Sequence, residues 1–117
     1  MYVSTILKYE PIRSLDSSTL TGSYLPIGTP LADASRILKI VNTSNVTVTI
    51  STDGVNDMDI IPSGSFVLYD AGTNRGNAAP CMTFSKGEQF YAKGSVGAGL
   101  IYVVSLYGYT NSQTPPL

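Results

Sequence analysis

Apolar and polar residues alternate over short distances along this chain. Val46, Val48 and Ile50 interleave with Thr47, Thr49 and Ser51, the period of two that gives a strand one buried and one wet face. Residues 36–41, rich in Ile, Leu and Val, precede that run. Asn42-Thr43-Ser44-Asn45 separates the two, and the pair reads as a β-hairpin. Asp53-Gly54 is the next turn, residues 58–61 a short strand stopped by Pro62, and Ser63-Gly64 a further turn. Residues 65–69 read as a strand buried on both faces, and residues 70–80 as a loop without periodicity. Residues 89–93 form another strand after Lys86-Gly87. A glycine-rich turn over residues 94–99 leads into residues 100–109, the longest apolar strand, whose length predicts a central place in a sheet.

The first third is less regular. Residues 3–9 read as a strand, residues 16–21 as a polar loop, residues 24–27 as extended chain and residues 31–34 as a single helical turn. No helical period runs over three turns. Strands separated by turn signals about every ten residues predict an all-β, single-domain β-sandwich, of the jelly-roll or immunoglobulin-like type. The expected organisation is an N-terminal extended segment, 1–35, packing on the core or on a neighbour; a sandwich core, 36–110; and a Pro-ended tail, 111–117, lying outside any sheet interior.

Composition bears on function mainly by exclusion. The 117 residues suit one domain. Charged residues make up 13 % of the chain, against roughly 25 % in an average soluble domain. Ser, Thr, Asn and Gly take their place, giving a polar surface that a protein neighbour can cover at low desolvation cost. The net charge is −1 and the seven basic residues are dispersed, so no stripe tracks a phosphate backbone and direct nucleic-acid binding is not expected. Met1-Tyr2-Val3-Ser4 lacks the charged start and apolar run expected of a signal peptide, and no apolar run approaches a membrane span of about 20 residues. Asn42-Thr43-Ser44 and Asn45-Val46-Thr47 match the glycosylation pattern, which is a chance match in a Thr/Asn-rich turn without that signal.

Histidine is absent, and with it the commonest general base, the Ser-His and Cys-His pairs and imidazole metal ligation. Cys81 is the one cysteine, so no internal disulfide forms and no four-ligand zinc site is available; without a basic neighbour it reads as a small apolar residue. Asp53, Asp57 and Asp59, with Asn56, are the weak candidates for a hard cation such as calcium, although their spacing is not that of a helix-loop-helix calcium loop. Asp57 and Asp59 share a strand face, the one arrangement open to two-carboxylate sugar hydrolysis, but a small sandwich has little room for the cleft. Gly94, Gly97 and Gly99 precede a strand, where a phosphate loop requires a helix. The expectation is therefore a protein that is not an enzyme and takes no cofactor. Tyr107 and Tyr109 share parity near the end of the last long strand, suiting core packing, a protein contact or a sugar platform.

Three segments together carry a resemblance. They are Arg36-Ile37-Leu38-Lys39-Ile40-Val41-Asn42 leading into Val46-Thr47-Val48-Thr49-Ile50-Ser51-Thr52-Asp53-Gly54; Ile61-Pro62-Ser63-Gly64-Ser65-Phe66-Val67-Leu68-Tyr69-Asp70; and Phe84-Ser85-Lys86-Gly87-Glu88-Gln89-Phe90-Tyr91-Ala92-Lys93-Gly94, followed by the run to Tyr107-Gly108. Across residues 36–109 the chain resembles small virion structural proteins of tailed bacteriophages. The resemblance implies a multi-copy β-sandwich of the virion, made in the bacterial cytoplasm and contacting copies of itself and other virion proteins at the neck or tail or on the capsid surface, without membrane or direct nucleic-acid contact. It assigns no functional residue. Ile12, Leu15, Leu25, Ile27, Tyr107 and Tyr109 are the expected interface residues of such a homo-oligomer. The rival expectation is a carbohydrate-binding module for host attachment, which needs exposed coplanar rings.

Overall fold

A computed structural model describes residues 2–71 and 83–113, with side chains for residues 6–71 and 83–108. Among the described residues nine strands follow one another: β1 (Tyr2–Tyr9), β2 (Arg13–Asp16), β3 (Leu25–Pro26), β4 (Ser35–Asn42), β5 (Val48–Ser51), β6 (Asp59–Ile61), β7 (Phe66–Asp70), β8 (Tyr91–Gly94) and β9 (Leu100–Gln113). The only helical piece among the described residues is one 3₁₀ turn, Ser17–Thr19. Every pairing is antiparallel. The first sheet runs β1-β9-β4-β7, with β2 continuing the edge of β1 along β9; the second runs β3-β8-β5-β6. With β1 and β2 counted as one interrupted edge strand, each sheet has four positions. The chain alternates between them in the order of a jelly roll, two Greek keys folded face to face.

Alternation builds the core between the sheets. Leu38 and Ile40 of β4 and Ile101 and Val103 of β9 point inward from the first sheet; Val48 and Ile50 of β5, Ile61 of β6 and Ala92 of β8 meet them from the second. Phe90 lies edge-on to Phe84, and Phe84 edge-on to Tyr69, with centroids 5.5 Å apart in both pairs. Such T-shaped pairs add to the burial itself. Among the described residues, every buried side-chain nitrogen and oxygen has a hydrogen-bond partner.

Several expectations need correcting. Strands β4 and β5 do not form a hairpin: they lie in different sheets, and residues 43–47 carry the chain across the sandwich. Asn42, fully buried, is the joint. Its amide donates to the carbonyls of Val46, Ile61 and Pro62, while its oxygen accepts from the Ser44 N–H and hydroxyl. The crossing is held against the turn before β9, where the Thr43 N–H donates to the Leu100 carbonyl and the Asn45 N–H to that of Ala98. Gly99 makes this approach possible. Its φ is +133°, and a Cβ there would lie 2.6 Å from the Ser44 Cα. Residues 31–34 form no helical turn; the Leu31 N–H and carbonyl instead bond to the Glu88 carbonyl and the Gly87 N–H. Strand β7 is not buried on both faces, since Phe66 and Leu68 point to solvent from a sheet edge.

The N-terminal segment is woven into both sheets. β1 and β2 flank β9, β3 flanks β8, and Leu20, Ile27 and Leu31 complete the core. Nor does residue 111 begin a tail outside the sheet, because β9 runs on to Gln113 against β1; residues 114–117, Cys81 and most of the 70–80 loop lie outside the described residues.

Pairing of β4 with β9 ends at Ser35 opposite Tyr107. Beyond it, β9 is paired with β1 alone, from Leu7 opposite Gly108 to Tyr2 opposite Gln113. Six residue pairs at ~3.4 Å each make a two-stranded ribbon about 20 Å long that leaves the sandwich. The molecule is accordingly elongated, 60 × 26 × 22 Å, with a radius of gyration of 16.7 Å, against roughly 13 Å for a compact chain of this length.

Candidate interaction surfaces

The outward face of the first sheet is apolar in successive cross-strand rows. Tyr9, Leu106 and Ile37 form one row, which ends on the charged Asp70; Val104, Lys39 and Leu68 the next; Tyr102, Val41 and Phe66, with Ser14 of β2 at the edge, the third. Tyr9 is 71 %, Phe66 64 % and Leu68 55 % exposed, and Leu7 extends the face along the ribbon. A shallow depression of about 360 Å³ lies between Tyr9, Ile37, Lys39, Phe66, Leu68, Val104 and Leu106. At ~150–250 Å² for each large side chain, the open parts of Leu7, Tyr9, Phe66 and Leu68 together amount to about 400 Å². That is the size of the largest apolar patch on a typical soluble protein, a patch that is often a functional surface. Lys39 is the one cation in these rows, and it lines the depression.

The face arises from the same alternation that builds the core. A strand with apolar residues at both parities needs cover on both sides, and β4, β7 and β9 all have them, while the second sheet covers only one side. On that second sheet the outward row is mixed: Lys93 of β8, Thr49 of β5 and the exposed Ile60 of β6. The Lys93 ammonium sits 2.8 Å from an Asp57 carboxylate oxygen and 4.8 Å from the centre of the Tyr24 ring, and the Tyr24 hydroxyl donates to the same Asp57 oxygen at 2.6 Å. Lys93 and then Tyr24 hold Asp57 below its ordinary value; desolvation and then the Asp57 charge push the Tyr24 phenol up to about 12. An open cleft of about 470 Å³ lies alongside, between Thr49, Lys93 and residues 20–22 and 94–96.

The three aspartates proposed for a cation are engaged separately. Asp53 accepts from the backbone N–H groups of Asn56 and Val55, the Asn56 amide and the Ser51 hydroxyl, and these bonds hold its carboxyl well below the usual carboxylate range. Asp57 serves Lys93 and Tyr24. Asp59 accepts the Tyr69 hydroxyl; desolvation and then this carboxylate raise the Tyr69 phenol. No group of three or more acidic, cysteine or histidine side chains converges among the described residues.

The expected interface residues divide. Ile12 stands 61 % exposed between β1 and β2. Leu15 packs against the core and Leu25 is half-buried in β3. Ile27 is a correction: it is fully buried in its own subunit's core, where its N–H donates to the Phe90 carbonyl, and has no surface left for a neighbour. Tyr107 is half-buried between Lys8 and Ser35, and Tyr109 pairs with Ile6 in the ribbon, its side chain outside the described residues.

Sequence reasoning missed a buried ion pair. The Arg13 guanidinium donates to Glu10 at 2.7 Å, to the carbonyls of Thr29 and Pro30, and to the Ser105 hydroxyl. Glu10 also accepts from the backbone N–H groups of Ala32 and Asp33. This clamp ties the break between β1 and β2 to residues 29–33. The available signal was an acid and a base three residues apart around Pro11-Ile12, in a chain with few charges.

No protein-family model, curated protein sequence or solved structure matches the chain.

Proposed function

We propose that this chain is a non-enzymatic structural module that acts as one of many copies in a protein assembly, and that the assembly is the virion of a tailed bacteriophage, at its neck or tail or on its capsid surface. The observation that carries the assembly reading is the open apolar face of the first sheet, centred on Tyr9, Phe66 and Leu68. Burying such a face against protein is worth ~25 cal/mol per Å² before the cost of association, so a few hundred Å² provide a sizeable share of a stable contact. The virion setting rests on the resemblance of residues 36–109. The low charge content favours close protein neighbours in the same way.

The test is light scattering on the full chain and on Leu68→Lys. Leu68 is exposed, so the substitution leaves the fold intact while setting a second cation beside Lys39. The expected result is a multimer for the natural sequence and a smaller species for the variant, with identical circular dichroism. Two monomers of 12.4 kDa overturn the reading.

A carbohydrate-binding module is the second reading, favoured by one observation: the tyrosine, carboxylate and lysine grouped beside an open cleft on the second sheet. Sugar stacking needs a free ring face, however, and Lys93 lies over Tyr24. Glycan-array binding that is lost in Tyr24→Ala and kept in Leu68→Lys selects this reading over the first.

A further inference from the structure

We infer that β1 is a docking edge for a second copy of this chain: Tyr2–Tyr9 pairs antiparallel, about a two-fold axis, with the same strand of its neighbour, so that two first sheets become one. The inference rests on the assembly reading above and names the contact.

The edges of the two sheets are not alike. β3 is two residues long and contains Pro26. β6 has three residues, includes Asp59 and is stopped by Pro62. β2 has four, follows Pro11 and includes Arg13 and Asp16. β7 has five and ends on Asp70. Short length, proline and charge are the ordinary devices that stop an edge from recruiting another strand. β1 has none of them except Lys8. It is eight residues long, Tyr-Val-Ser-Thr-Ile-Leu-Lys-Tyr, with no proline or glycine, and its register against β9 is continuous.

The backbone of β1 is half satisfied. The Glu10 N–H donates to the Ser105 carbonyl at 3.0 Å. In an antiparallel ladder alternate residues exchange both bonds with the partner strand, and those between direct both groups away. Counting back from Glu10, residues 8, 6, 4 and 2 face β9. Tyr9, Leu7, Thr5 and Val3 direct their N–H and C=O outward, along an edge where no described strand lies. A two-stranded ribbon by itself is marginal in water, and six of the eight pairs of β1 lie beyond the reach of β4. A third strand on the outer edge supplies what the ribbon lacks.

Two features make that strand another β1. Antiparallel pairing centred on Thr5 sets Lys8 opposite residue 2 of the neighbour, so like charges do not meet, and a two-fold contact closes on itself without leaving a new edge of the same kind. The pairing also keeps the odd-numbered residues of both copies on one face. Leu7 and Tyr9 of the two copies then lie on the same side of the joined sheet.

Amide hydrogen exchange on the full-length protein, read by NMR, tests this. Residues 4, 6 and 8 are protected by β9 in any case. The inference requires that Thr5, Leu7 and Tyr9 be protected as well, by about a hundredfold or more. Leu7→Pro removes an outward N–H and no ladder bond to β9; the expected result is a mass at least halved, with the β-spectrum kept. Outward amides that exchange at the solvent rate in a multimer overturn the β1 contact and leave the assembly reading standing. An unchanged mass in Leu7→Pro does the same. A natural chain that is monomeric throughout overturns both.

Discussion

Replacing Asn42 by alanine removes one side chain that three parts of the fold share. The amide bridges from the end of β4 to the carbonyls of Val46, Ile61 and Pro62, at 2.8, 3.0 and 3.2 Å, and its oxygen takes the Ser44 N–H at 3.0 Å. In the variant the Ser44 hydroxyl still reaches the Val46 carbonyl. The Ser44 N–H and the Ile61 carbonyl lose this partner, while the Pro62 carbonyl keeps the Ser65 N–H. At ~1–1.5 kcal/mol for each of the two polar groups left short of a bond, the loss is about 2–3 kcal/mol. Against a typical total of roughly 5–15 kcal/mol this is a large fraction, and for a chain of this size it lowers Tm by about 8–12 °C. Urea denaturation at fixed protein concentration, followed by circular dichroism, measures it. A destabilisation below about 1 kcal/mol would refute the view that this amide is the joint between the two sheets.

Gly99→Ala is expected to cost at least about 2 kcal/mol in the same assay, because its Cβ would meet the backbone of Thr43 and Ser44 at 2.7 and 2.6 Å; a neutral result would contradict the close approach of the crossing to the turn before β9. Glu10→Gln leaves the buried Arg13 without its counter-charge and is expected to cost about 3 kcal/mol at neutral pH. Burial raises the Glu10 carboxyl, but the bonds from Arg13, Ala32 and Asp33 outweigh it and set the value below the ordinary 4.5. The stability it contributes is therefore complete above about pH 4.5 and lost as pH falls through the lower folded value; the natural chain loses Tm through that acid range, and Glu10→Gln, measured alongside, loses less. Desolvation and then the Glu10 charge raise the Asp33 carboxyl, so the sign reverses there, and Asp33→Asn is expected to raise Tm at pH 7 with no gain at pH 3. A chelator is expected to leave Tm within about a degree, because each aspartate of the 53–59 turn already has its hydrogen-bonding partners; a larger fall would reveal a bound cation that raises native stability by mass action.

The strands that were legible in the sequence were those whose pattern is local. The Val46 to Ser51 alternation, the turns at Asp53-Gly54 and Ser63-Gly64 and the long run of β9 depend on residues close in sequence; the strand forms from Val48 with Val48 and Ile50 inward, though Ser51 is buried too, both glycines have positive φ, and β9 lies inside its sheet but runs beyond residue 109 to Gln113. Pairing partners were not legible. Asn42-Thr43-Ser44-Asn45 has the residues of a hairpin turn, yet the same small polar side chains let Asn42 and Ser44 bond across the sandwich, and nothing local distinguishes the two outcomes. β2 escaped detection and β3 showed only as extended chain, because each borrows its regularity from its partner strand, β9 or β8. β7 misled for a different reason. Val67 and Tyr69 point inward while Phe66 and Leu68 point outward, so apolar residues at both parities read as burial on both faces. In the isolated chain only one of those faces is covered, and in the proposed assembly the other is covered as well.

Native mass spectrometry of the full chain, taken across a range of protein concentrations, bears most directly on the assembly claim. The account predicts species at whole-number multiples of 12.4 kDa, two copies or more, that lose copies when Leu68→Lys charges the apolar face. A single species of 12.4 kDa at every concentration would contradict it.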